Sequence, residues 1–112
     1  MLTDSLAYSL PDRDPATCVS FDEAIEYSAA KGEGWHLMTA AEWGAIALWC
    51  QKNGWLPYGN NDGGKDIREE NISARIAYRD DEKAICRTET GSGPVSWSHN
   101  KREDGIYDLN AN

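Results

Sequence analysis

The sequence predicts an α+β domain with two helices packed on a small, mostly antiparallel sheet. Three observations lead there. Two stretches open with capping boxes and continue with apolar residues at helical spacing. Downstream, short apolar runs, one of them alternating with period two, are separated by turn-rich segments. The length of 112 residues fits a single domain, which at this size hides roughly 60–70% of its unfolded surface, enough for one core and not two.

Residues 1–17 read as an irregular N-terminal segment, because Pro11 and Pro15 break any helix. Residues 18–54 read as a helix-strand-helix unit. Ser20 and Glu23 have the S-x-x-E spacing with which each side chain satisfies a free N–H at a helix start. Phe21, Ala24, Ile25 and Ser28 follow as an inward stripe, and Gly32 or Gly34 ends the helix. The run GWHLMT is expected as a buried strand or extended segment. Thr39 and Glu42 repeat the capping box and start a second helix. Trp43, Ile46, Ala47 and Cys50 share one face of it, and Leu48 and Trp49 widen the apolar surface, which predicts a buried helix. Asn53 and Gly54 close it, Gly54 in the left-handed conformation.

Residues 55–112 read as a loop-rich part with short strands. GNNDGGKD, at 59–66, lacks periodicity and is expected as a loop whose Gly and Asn residues take positive φ. ISARIAYRD fits either a short strand or a helix turn. A strand is expected at Ala84–Arg87, then a Gly-Ser-Gly-Pro turn. Val95, Trp97 and His99 alternate with Ser96 and Ser98, the pattern of a half-buried strand. NKREDG is a turn and IYDLNAN a last mixed segment.

Hydrophobic residues make up 40% and charged residues 27%, an ordinary globular composition. Five tryptophans and five tyrosines point to a ring-built core, an aromatic binding face, or both. A net charge of −8 argues against direct nucleic-acid binding and against an anionic membrane. It leaves two readings, plain solubility and a surface that docks on a basic protein. The longest apolar run, Ala45 to Cys50, is six residues, too short to insert in a bilayer, and no secretory signal is seen at the N-terminus. Cys18, Cys50 and Cys86 are an odd set without metal-ligand spacing, which reads as reduced thiols, although one disulfide stays open.

No catalytic constellation is expected. Cys50 lies on an apolar helix, where burial raises a thiol's pKa and makes it inert. Cys86 has Arg87 beside it and no nearby histidine in sequence. His36, between Trp35 and Leu37, reads as a core residue. His99, with polar neighbours, could line a pocket but has no paired base. The 59–66 loop lacks the Gly-Lys-Ser/Thr ending of a phosphate loop and the glutamate of an EF-hand. No cofactor or metal is expected, although the oxygen donors of Asn60, Asn61, Asp62 and Asp66 leave calcium open. The candidate partner-binding residues are Tyr58, Asn60, Asn61 and Asp62 on that loop, together with a polar-aromatic surface of Trp97, His99, Asn100, Asp104 and Tyr107. The alternative for Trp97 and Tyr107 is that they close the core. Trp35, Trp43 and Trp49 are assigned to the core.

Three strings, GWHLMTAAEW, the GNN loop and DGIYDLNAN, resemble a recurring phage and prophage domain with the C-type-lectin-like fold. That fold is shared with formylglycine-generating enzymes and with variable proteins of diversity-generating retroelements, and the likeness runs from about Pro15 to Asn112. In the family the last string runs on into a Val-Trp-Glu-Trp strand, and glycine commonly stands where this chain has Ala111. The resemblance therefore implies a truncated C-type-lectin-like fold, with an open edge closed by self-association, strand exchange or a partner. The enzyme branch uses a cysteine pair in a cleft, and no residue here aligns with it. The implied function is a non-enzymatic module of a tail or receptor-binding assembly that recognises a host protein or a surface glycan. The alternative is a small acidic phage inhibitor of a host defence protein, and a third reading is a formylglycine-generating-type enzyme. The implied location is the virion or the host cytoplasm.

Overall fold

The computed structural model describes residues 2–3 and 6–110. Its elements are β1 (Leu2–Thr3), β2 (Leu6–Ala7), α1 (Phe21–Ala29), α2 (Ala40–Lys52), β3 (Ile76–Asp80), β4 (Ile85–Thr88) and one 3₁₀ turn at Val95–Trp97. The α+β class is therefore what the chain adopts. Ala111 and Asn112, the end of the DGIYDLNAN string, lie outside the described residues, as do Met1, Asp4 and Ser5 of the expected irregular segment.

Both capping boxes form. The Glu23 N–H donates to Ser20 Oγ at 3.1 Å, and the Ser20 N–H donates to Glu23 Oε1 at 3.3 Å. At α2 the corresponding distances are 3.1 Å and 2.8 Å. Gly54 stops α2 at φ 73. Its N–H reaches the Gln51 carbonyl at 3.1 Å and that of Trp55 reaches Cys50 at 2.9 Å, the paired bonds of a Schellman stop.

Burial departs from the sequence expectation. α1 lies against β2, but it turns Ala24, Tyr27 and Ser28 inward. Phe21, expected on the inward stripe, is 73% exposed, and Ile25 is exposed beside it. A 3.6-residue period accommodates either face, and here Ala24, Tyr27 and Ser28 rather than Phe21 and Ile25 face the fold. α2 is not a buried helix either. Its Cys50 side is covered, while Trp43 and Trp49 are 51% and 47% exposed and Leu48 stands outside with them. Trp35 is exposed as well, so none of these three tryptophans belongs to the core. The segment after Gly34 forms no strand and is mostly exposed, with Leu37 half-buried.

Two antiparallel pairs make the sheets. β1 and β2 pair Leu2 with Ala7 and Thr3 with Leu6. β3 and β4 pair Asp80 with Ile85, Arg79 with Cys86, Tyr78 with Arg87 and Ile76 with Thr88, and the extra residue, Ala77, forms a bulge. ISARIAYRD thus contains a strand, and the strand expected from Ala84 begins at Ile85 because Ala84 turns at φ 54. The expected strand at 95–99 is instead a 3₁₀ turn. Pro94 opens it, and its carbonyl accepts the Trp97 N–H at 2.9 Å. Trp97 and Ser98 are consecutive and both fully buried, which an alternating strand cannot achieve.

The core lies in the loop-rich half, around Trp97, Ala74, Cys50 and the polar residues Asp66, Thr88 and Ser98. Gly93 makes room for the Trp97 ring, since a Cβ there would run into it. Asp66 is the polar centre. Its carboxylate accepts from the Gly59 N–H (2.9 Å), Asn61 Nδ2 (3.1 Å), and Arg68 N–H, Nε and Nη2 (2.9, 2.8 and 2.7 Å). The Arg68 guanidinium holds the Asp66 carboxyl well below the usual carboxylate range.

Asp66→Asn keeps the side-chain shape and removes the charge. It is expected to cost about 2–4 kcal/mol at neutral pH in urea unfolding. Because the folded pKa lies below the unfolded one, this stabilisation is complete above about pH 4 and is lost as pH falls further. The gap between wild type and variant should therefore narrow in acid.

Candidate functional site

The expected site residues fall on two adjoining loops. On the first, Asn60 is buried and serves the loop itself. Its Nδ2 donates to the Cys86 carbonyl at 3.0 Å and its Oδ1 accepts the Gly64 N–H at 2.7 Å. Asn61 is exposed yet committed at both ends of its amide, to Asp66 at 3.1 Å and to the Ile67 N–H at 2.9 Å. Asp62 is exposed, and its N–H donates to the Lys65 carbonyl at 2.8 Å. Gly63 and Gly64 supply the positive φ values, 59 and 101, and neither asparagine does. Asn60, Asn61 and Asp66 spend their oxygens on the fold. Among the described residues no group of three or more His, Cys, Asp or Glu side chains could hold a metal ion.

Tyr58 is half-buried, with its N–H bonded to the Ser96 carbonyl at 2.9 Å. That bond brings the second loop alongside. Tyr58 is the middle of a stacked column: the Arg68 guanidinium lies 3.9 Å over its ring, the Trp55 ring is 4.9 Å away, and Lys101 sits 4.0 Å over Trp55. Own-chain cations thus cover both ends of the rings.

On the second loop, Trp97 is not a surface residue. At 0% exposure it closes the core. His99, Asn100, Asp104 and Tyr107 are brought together on this loop, mainly by bonds to the intervening Arg102 and Ile106. His99 Nδ1 accepts the Ile106 N–H at 2.9 Å, which places the ring proton on Nε2, and the ring tilts against Trp49 at 5.3 Å. Asn100 Oδ1 accepts the Arg102 N–H at 3.0 Å, its Nδ2 reaches Asp104 at 3.4 Å, and Asp104 meets Arg102 at 3.2 Å. Tyr107 is half-buried, and that burial pushes its phenol up.

Concavities lie both beside these residues and apart from them. A groove of ≈ 860 Å³ runs between residues 8–11, 90–95 and 103–108, with Tyr107 and Asp108 in its wall. Asp108 is not among the candidates read from sequence, although it lies in the DGIYDLNAN string. Its Oδ2 accepts the Gly91 N–H at 3.0 Å, its Oδ1 is buried without a partner, and burial raises its carboxyl pKa. A small apolar pocket of ≈ 220 Å³ lies between α2 and Leu56, Pro57 and Leu109. A second apolar groove, of ≈ 610 Å³, lies between α1 and residues 36–40. Its α1 wall is Phe21, Ile25 and Ala29. Phe21 and Ile25 stand at four-residue spacing in the sequence, but there they read as part of an inward face.

The three cysteines are free thiols in different surroundings. Cys18 is exposed at φ 56, Cys86 is half-buried, and Cys50 is buried with its Sγ 3.5 Å from the His99 carbonyl. Burial pushes the Cys50 thiol up. What the arrangement offers chemically is contact: open apolar grooves, exposed rings and self-satisfied polar loops. In comparison with known proteins, the family described as the sulfatase-modifying factor enzyme 1-like domain matches residues 3–110. No curated relative matches the chain.

Thiol labelling of the native protein should separate the three cysteines. Cys18 is expected to react first and Cys86 more slowly, with Cys50 reacting only as the protein unfolds. Peptide mapping of a time course reads the order, and early modification of Cys50 would contradict this account of α2.

Proposed function

The chain belongs to the family of sulfatase-modifying factor enzyme 1-like domains, and from that premise we propose that it is a non-enzymatic binding module for a protein or carbohydrate surface, of the phage tail or receptor-binding type. The observation that carries this reading is the exposure of large apolar side chains, Phe21, Trp35, Trp43, Leu48 and Trp49 among them, over the helical half of the molecule. Large apolar side chains left uncovered in this number favour an interaction surface. The family name is that of an enzyme. Against carrying the activity over stand an inert buried Cys50 and a His99 whose Nδ1 already accepts a backbone N–H. In this reading the protein acts in the virion or the host cytoplasm, and the same surface permits self-association.

The net charge of −8 favours a second reading, an acidic inhibitor that occupies the basic channel of a nucleic-acid-handling host defence protein. One experiment separates the two. Labelled protein is incubated with bacterial cells and with envelope extracts, and in parallel its tagged form is passed through a defence-competent lysate. Saturable retention on envelopes is expected. Monomeric protein that no envelope retains, together with salt-sensitive capture of a basic nuclease, would replace the first reading by the second.

A further inference from the structure

The groove between α1 and residues 36–40 has the features of a docking site. Its first wall is Phe21, Ile25 and Ala29, and its second is His36, Leu37 and Met38, with Thr39 and Ala40 at its end. Phe21, Ile25 and Met38 are all exposed. The helix starts on both sides of the groove are defined by their capping boxes. His36 is held at the second wall, its Nδ1 2.6 Å from the Leu37 carbonyl and 3.6 Å from Glu42.

The sequence that surrounds the groove is mostly acidic. Between residues 20 and 42 stand Asp22, Glu23, Glu26, Glu33 and Glu42 against Lys31 as the single Lys or Arg. Glu23 and Glu42 are occupied in the capping boxes, while Asp22, Glu26 and Glu33 are exposed. Asp22 and Glu26 each follow a groove residue directly, so on the helix they flank the apolar wall. The Lys31 ammonium is turned to the rings of Trp35 (4.1 Å) and Tyr8 (5.8 Å). An apolar trough with an acidic rim complements apolar side chains flanked by cations. It disfavours a second copy of a chain that carries −8, and its walls of Phe, Ile, Leu and Met offer a sugar few hydrogen-bond partners.

We infer that this groove is the docking site for an amphipathic protein segment that presents apolar side chains with lysine or arginine beside them. The inference rests on the binding-module reading and names the partner's chemistry within it. Phe21 makes it testable, because a side chain so exposed contributes little to the fold.

The probe is a short, labelled, amphipathic leucine–lysine helical peptide, with a leucine–glutamate peptide of the same pattern as control, followed by fluorescence anisotropy. The wild type is expected to bind the lysine peptide, more weakly as salt is raised, and to ignore the glutamate peptide. Phe21→Ala with Ile25→Ala should weaken binding about tenfold or more without moving the thermal midpoint or the helical circular dichroism. Asp22→Asn with Glu26→Gln should weaken it by a smaller factor and flatten the salt dependence. Equal binding of both peptides, or wild-type affinity in the Phe21/Ile25 variant, would overturn the inference. So would sedimentation that shows a wild-type dimer and a monomeric variant, since the occupant would then be a second copy. If the Phe21/Ile25 variant is retained on envelopes as the wild type is, the groove inference fails while the binding-module reading stands. If the peptide binds through the groove and no envelope retains the protein, the groove is supported and the envelope reading fails.

Discussion

The Asp66 carboxylate is the interaction on which the rest of this structure depends. It lies fully buried, and an unpaired buried charge is costly. Five donors from Gly59, Asn61 and Arg68 compensate it. Through those donors it fixes the path of the chain from Gly59 to Arg68. Gly59 is pressed against the Asn110 carbonyl so closely that a Cβ has no room. Asn110 in turn donates to the Pro57 carbonyl at 3.2 Å. Tyr58, one residue away, is bonded to Ser96 and stacked under Arg68. One charged group therefore joins the middle of the chain to the Trp97 turn and to the last described residues.

The N-terminal segment is tied to the same half by a second set of polar contacts. Arg87 grips Asp14 with two bonds of 2.8 and 3.0 Å, and Arg75 pairs with Asp12 and with Glu89. Thr90 bonds to Leu10 and Arg13 through its side chain and backbone. These pairs are mostly exposed, so each contributes little to stability, but together they set the register of the segment. Residues 8–11, next to these contacts, form one wall of the larger groove. The helical half is organised differently. Its helices are defined locally by caps and a glycine stop, and most of its large apolar side chains remain on the surface.

That division explains what was legible in the sequence. Capping boxes and a Schellman glycine act over three or four residues, so Ser20–Glu23, Thr39–Glu42 and Gly54 are readable directly. The β4 strand and the glycine-rich loop have local signatures too. Burial is not local. The spacing of Phe21, Ala24, Ile25 and Ser28 fits two faces of a helix, and only the position of β2 decides between them. Trp43 and Trp49 look like core because core is where tryptophan usually lies, yet their cover depends on what packs there. At 95–99 the alternation of residue types suggested a strand, and Pro94 with the close Gly93–Trp97 contact made a 3₁₀ turn. The buried polar centre, Asp66 with Asn60, Thr88 and Ser98, was the least visible, because polar residues in a loop read as solvated. Of the candidate site residues, His99, Asn100, Asp104 and Tyr107 do meet on one loop, whereas Asn60 and Trp97 belong to the interior. The apolar groove beside α1 was hidden by the same ambiguity of face that misplaced Phe21.

Trp97 is buried in the loop-rich half, whereas Trp35, Trp43 and Trp49 are uncovered in the helical half. Brief hydroxyl-radical oxidation of the dilute, native protein, with tryptophan products mapped by mass spectrometry, tests this most directly. Trp35, Trp43 and Trp49 are expected to oxidise readily and Trp97 to stay protected until the protein unfolds. Protection of Trp43 and Trp49 equal to that of Trp97 in the monomer would contradict it.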